Sequence, residues 1–133
     1  MFENLQDREK FVNSMMQFIK SKYDLADTQI FIFGSFLTDE FKPGKSDIDI
    51  GIYSENEVKM YDLKVDIENY LDNFNIKNDI VIMHLNKKLW INIPIMVYGK
   101  QLTEYYSEKL FEYLVEMINE QGFNPIQKER EIV

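Results

Sequence analysis

The chain has 133 residues, 45% hydrophobic and 14% aromatic, the composition of one globular domain rather than of a disordered segment. Its 23 acidic and 15 basic side chains give a formal net charge of −8, which argues against duplex nucleic acid as a main ligand, because phosphate backbones are gripped by clustered Lys and Arg. The absence of cysteine excludes disulfides, thiolate catalysis and Cys-based zinc; with no apolar run of ~18–20 residues and no basic-then-apolar leader, no membrane span and a cytoplasmic location are expected.

Residues 3–22 predict an amphipathic helix, with Leu5, Val12, Met15, Met16 and Ile19 at helical spacing and Phe11 and Phe18 widening the stripe. Asp24–Gln29 reads as a polar loop and Ile30–Phe33 as a short buried strand. Ser35–Phe41 is expected to form a brief helix, after which Pro43-Gly44 turns the chain into a second strand, Asp47–Tyr53. Ser54-Glu55-Asn56-Glu57 fits a capping box with Ser54 as N-cap, opening a helix to about Phe74. Asn78–Met83 is the third strand. Pro94 is expected to open a short helix ending at Gly99, and Thr103 to cap a last helix carrying Tyr106, Leu110, Tyr113, Leu114, Met117 and Ile118, stopped by Gly122 and Pro125. One domain over residues 1–122 and a loosely held tail over 123–133 follow.

The chemistry concentrates in Phe31-Ile32-Phe33-Gly34-Ser35 and, eleven residues on, Asp47-Ile48-Asp49-Ile50. A strand repeats every two residues, so Asp47 and Asp49 share a face while Ile48 and Ile50 share the other. Two like charges ~6–7 Å apart on one face repel unless a divalent cation lies between them. Mg²⁺ suits such a pair, since it takes one or two carboxylates together with phosphate oxygens and water. Gly34 lets a phosphate approach the backbone, and Ser35 offers a hydroxyl beside it. Asp79, in the otherwise apolar run Asp79-Ile80-Val81-Ile82-Met83, supplies a third carboxylate if its strand pairs beside the second. Two ions ~3.5–4 Å apart could then be held, and Asp79 could take the proton of an incoming hydroxyl. Lys42 and Lys45 are available to offset triphosphate charge.

These residues carry a resemblance. An apolar strand, Gly-Ser, a spacer of about ten residues, Asp-x-Asp and a third acidic residue on a later strand resemble the nucleotidyltransferase superfamily that includes the DNA polymerase β palm and the aminoglycoside nucleotidyltransferases. The short chain is most similar to the minimal, MNT-type members found as antitoxins beside HEPN-domain ribonuclease toxins. The likeness runs over roughly residues 28–102. It implies an α/β (α+β) palm-like fold, a small mixed sheet with helices mainly on one face. It also implies transfer of AMP from ATP, with two Mg²⁺ ions, onto a hydroxyl, in these antitoxins a tyrosine of the toxin. On that resemblance Asp47 and Asp49 bind both ions, and Asp79 binds the catalytic ion and activates the acceptor. Gly34 and Ser35, with Lys45 and Ser46 of the adjoining loop, hold the nucleotide. The sequence departs from the family where Phe36, Leu37, Thr38 and Asp39 stand in place of the Arg that often follows Gly-Ser and the Gly a few residues on.

Two other readings compete: transfer to an aminoglycoside-like small molecule, and a binding module that masks a toxin without catalysis. Phe111 and Val115 lie off the main stripe of the last helix, which points to contact with a partner, with a second copy, or with another part of the same domain.

Overall fold

The computed structural model of the chain describes residues 2–121. In chain order these form α1 (Leu5–Lys22), β1 (Thr28–Phe33), β2 (Ile48–Ser54), α2 (Glu57–Asn73), β3 (Asn78–Ile82), α3 (Asn92–Tyr98), β4 (Lys100–Gln101) and α4 (Glu108–Gln121). The strands make one mixed sheet in the order β3-β2-β1-β4. β1 runs antiparallel to β2 and β4, and β3 runs parallel to β2, as the α2 crossover between them requires. This is the α/β class expected from the sequence. No helix among the described residues is long and apolar enough to cross a membrane.

Alternation along the strands divides the sheet into two faces. Ile30 and Ile32, Ile48, Ile50 and Ile52, and Ile80 and Ile82 are all buried, and they pack in one cluster with Phe11, Met15 and Ile19 of α1 and Leu63, Ile67 and Leu71 of α2. The odd-numbered face is partly covered by α3: a Cβ at Gly51 would lie 2.8 Å from Ile95 Cγ2, so that helix sits against β2 where a side chain is missing. α3 also packs on α4. Of the expected core, Leu110 is fully buried, whereas Leu114 is only partly so, at the margin of a smaller cluster of Ile93, Tyr113 and Met117.

Local chemistry moves several boundaries. β1 begins at Thr28, because the Thr28 hydroxyl donates to Ser54 Oγ across the ladder. Ser54 stays in β2, and Asn56 caps α2 in its place by accepting the Lys59 amide. Thr103 does not cap the last helix, since its hydroxyl is taken by the backbone N–H of Ile30. Ser107 caps α4 instead, its Oγ accepting the Leu110 amide at 3.2 Å, and Tyr106 therefore precedes the helix. Pro94 lies in the first turn of α3, and Gly99 ends it by donating to Ile95 O.

The brief helix expected over Ser35–Phe41 is absent; these residues form turns. Phe36 is fully buried and meets Phe2, Phe11 and Phe41 edge-on, a burial worth about 1.5–3 kcal/mol for such a ring. The Thr38 carbonyl, which a helix would use internally, accepts from Arg8 Nη2 of α1. The stop signals Gly122 and Pro125 and the tail 123–133 lie outside the described residues.

Candidate active site

The ladder fixes which side chains meet. Phe33 stands opposite Asp49 across β1 and β2, and Asp49 stands opposite Asp79 across β2 and β3. Paired residues project to the same face, so Asp49 and Asp79 are side by side on the odd-numbered face. That face is left open by α3, which covers Gly51 one step further along the strand. Asp47 lies one residue before β2, exposed, and its charge acts on Asp49.

Gly34 closes the row. Its φ is +74°, in the left-handed region, and a Cβ there would collide with Asp49 Oδ2. The turn that follows is tied by Thr38, whose N–H and hydroxyl donate to Ser35 O at 2.9 and 2.8 Å. Arg8 secures this turn from below: its guanidinium donates to Thr38 O and Phe2 O and stacks 5.2 Å from the Phe41 ring. Arg8 is 4% exposed, and among the described residues its Nε has no hydrogen-bond partner. Sequence reasoning passed over Arg8, although a charge in the apolar stripe of the first helix is a readable signal that it is held by something other than water.

Asp49 is half-buried. Burial first, then the neighbouring charges of Asp79 and Asp47, raise its pKa to about 6. Among the described residues no hydrogen-bond donor reaches it. A carboxylate that is desolvated, crowded by two others and without a donor fits a cation by its chemistry. The three are neighbours rather than a closed ligand set, because among the described residues no group of three or more His, Asp or Glu is gathered tightly enough to hold an ion.

The other expected ligand residues lie in the loop before β2. Lys45 N and Ser46 N donate to Lys42 O, and Ser46 Oγ accepts the Lys42 amide at 3.1 Å. The Ser46 hydroxyl thus closes the loop. Lys42 and Lys45 are exposed, and among the described residues neither forms an ion pair.

A family model described as nucleotidyltransferase domain matches residues 12–115. No curated protein matches the chain by sequence. Among solved structures, a chain of a mutant toxin–antitoxin MntA–HpeT aligns with TM-score 0.57 at 16% identity, covering 90% of this chain and 92% of its own. A chain of a toxin–antitoxin crystallised with AMP-PNP aligns at 0.53 and 19%, covering 90% and 92%. A chain from the complex of tri-AMPylated Shewanella oneidensis HEPN toxin with MNT antitoxin aligns at 0.51 and 17%, covering 97% and 94%. At these identities the likeness to solved structures is one of fold. The family match is broader in meaning, since its span runs from within α1 into α4 and encloses Gly34, Asp47, Asp49 and Asp79: the chain belongs to the nucleotidyltransferase domain family.

Proposed function

We propose that this protein transfers an adenylyl group from ATP to a hydroxyl, a tyrosine by the family resemblance, of a HEPN-type partner toxin and so acts as its antitoxin. The observation that carries this reading is the row Gly34–Asp49–Asp79, in which a glycine cleared of a side chain lies directly against the Asp49 carboxylate, and Asp79 stands beside Asp49 on the next strand. Support for the donor and partner comes from fold neighbours described as a toxin–antitoxin with AMP-PNP and as an AMPylated HEPN toxin with its MNT antitoxin.

In this reading Asp47 and Asp49 would hold two Mg²⁺ ions, with Asp79 as a further ligand. When bound, the ions offset the charge of the triphosphate and of the oxygens between which phosphorus passes. Asp79 takes the proton as the acceptor oxygen bonds to the α-phosphorus. The bond from the α-phosphorus to the oxygen bridging to the β-phosphate breaks, and pyrophosphate leaves. Gly34 and Ser35 cradle the phosphates, with Lys45 and Ser46 in the adjoining loop.

A non-catalytic masking role is the second reading, favoured by the loose spacing of the three carboxylates. Incubation with α-labelled ATP, Mg²⁺ and the cognate HEPN protein separates the two. Transfer predicts label on the partner with the wild-type chain and none with the double variant Asp47→Asn, Asp49→Asn. Unlabelled partner whose toxicity is suppressed equally by both proteins would replace transfer with masking.

A further inference from the structure

The outer side of α4 sets exposed apolar side chains beside a run of acidic ones. Tyr106, Phe111 and Val115 are 58%, 48% and 40% exposed, and they are contiguous: the Tyr106 and Phe111 rings lie 6.1 Å apart, and Phe111 and Val115 are one turn apart on the helix. A shallow groove of about 420 Å³ opens over Phe111 and Val115. Beside it runs an acidic ladder, Glu108, Glu112, Glu116 and Glu120, each four residues from the next. Like charges at that spacing destabilise an isolated helix. Among the described residues the ladder has one ion pair, at its end, where Lys88 pairs with Glu120 at 2.6 Å.

We infer that this face is the docking surface for the partner protein, and that the partner presents an apolar side chain flanked by Lys and Arg. The inference rests on the proposed function for the existence of such a partner; the location and chemistry of the contact come from α4 itself. Complementary charge is what selects the occupant: an apolar anchor enters over Phe111 and Val115 while basic side chains meet the glutamates, which steers encounter and fixes register. A second copy of this chain is a poor occupant, because a two-fold pairing of α4 sets one acidic ladder against another in a protein already carrying −8.

The test measures affinity of the full chain for the cognate HEPN protein by titration calorimetry, alongside label transfer from ATP. Phe111→Ala is expected to weaken binding more than about tenfold, as an aromatic anchor does. The pair Glu112→Lys, Glu116→Lys is expected to weaken it comparably, and to remove most of the loss that raised salt causes in the wild type. Val65→Ala, on the exposed side of α2, is the control for an apolar truncation elsewhere and leaves affinity unchanged. Unaltered circular dichroism of each variant ties a loss to the surface. Asp49→Asn, which stops transfer, is expected to bind as well as wild type.

Outcomes for the two claims separate. Label on the partner with affinity indifferent to Phe111 and the glutamates overturns the docking surface and leaves transfer standing. Binding that depends on α4, with no label transferred by the wild type, keeps the surface and overturns transfer. Failure of the wild type to bind overturns both. A wild-type dimer that Phe111→Ala dissociates would assign the face to a second copy. A chain ending at Gln121 whose α4 amides exchange faster, with partner affinity unmoved, would assign it to residues 122–133. Either result overturns the partner surface.

Discussion

The carboxylate of Asp49 occupies the space that a side chain on Gly34 would need, and Gly34 itself sits at a φ of +74°. Two independent constraints therefore demand glycine at one position. The backbone conformation costs an L-residue about 1–2 kcal/mol, and any Cβ must push the Asp49 carboxylate off the row it shares with Asp79. Gly34→Ala is expected to destabilise the fold by about 1–3 kcal/mol. Because a misplacement of about 1 Å at a reacting centre can cost on the order of a hundredfold, label transfer should fall by that order while the variant stays folded. Melting curves and single-turnover transfer check both halves; wild-type transfer by the variant would remove Gly34 from the proposed phosphate seat.

Asp49 also sets a pH dependence. Its folded pKa, raised to about 6 from an unfolded value near 3.8, means that the folded chain holds a proton that the unfolded chain has already lost. Its contribution is thus fully present below the unfolded value and is lost as pH rises through about 6. After discounting for water on the open side, that loss is about 1–2 kcal/mol. Asp49→Asn, without added metal, should be more stable than wild type above pH 6 by that amount and no more stable near pH 4. The difference between the two urea-denaturation profiles reports Asp49 together with its interaction with Asp79 and Asp47, and cancels the carboxylates remote from it.

Mg²⁺ should reverse the same penalty. A cation beside Asp49 favours its charged form, so adding Mg²⁺ at neutral pH is expected to raise the melting temperature of the wild type, and chelation to restore it. The gain should shrink below about pH 6, where protons compete for Asp49, and be smaller in Asp49→Asn at every pH. Equal shifts in both proteins would place the ion elsewhere.

The strands and their carboxylates were legible because both are patterns of two. Ile48 and Ile50 alternating with Asp47 and Asp49 specify a strand buried on one side and charged on the other, and the ladder places Asp79 beside Asp49 once β3 joins β2. The boundaries that moved were decided by partners distant in sequence. Thr103 reads as a good cap until the Ile30 amide takes its hydroxyl, 73 residues away. Helical propensity over Ser35–Phe41 yields to the burial of Phe36 and to the Arg8 bond with Thr38, across 30 residues. No local window contains either contact. Phe36, the residue after Gly34-Ser35, faces the aromatic core, so any charge that offsets a nucleotide there must come from another position.

Arg8 offers a way to disturb the proposed phosphate seat without touching it. Its two donors hold Phe2 O and Thr38 O, and Thr38 in turn ties Ser35. Arg8→Leu leaves both carbonyls short of a donor, for a cost of about 1–3 kcal/mol. A slackened turn binds ground state and transition state equally poorly, so KM for ATP is expected to rise about tenfold with kcat nearly unchanged. Arg8→Lys should rescue little, because an ammonium cannot span two carbonyls and stack on Phe41 as the planar guanidinium does. A fall in kcat with KM constant would show that Arg8 acts on the carboxylates rather than on the turn.

Ser107 joins the cap of α4 to a second titration. Its Oγ accepts the Leu110 amide and donates to Glu55 Oε1 at 2.9 Å, to which Tyr105 also donates, while Tyr53 donates to Oε2 of the same carboxylate. Burial pushes the Glu55 carboxyl upward, but the hydroxyls of Ser107, Tyr105 and Tyr53, with Lys109 nearby, outweigh it and hold the group below the usual range. A lowered folded pKa contributes stability above the unfolded value that is lost as pH falls through the folded one. Ser107→Ala is expected to cost about 1 kcal/mol at neutral pH through the lost cap. It should also bring the Glu55 titration closer to its unfolded position, so that the gap between variant and wild type narrows as pH is lowered through the acid range. Urea denaturation at steps of pH measures that gap; a gap constant with pH would mean that the Ser107 hydroxyl serves α4 alone and leaves Glu55 to its other donors.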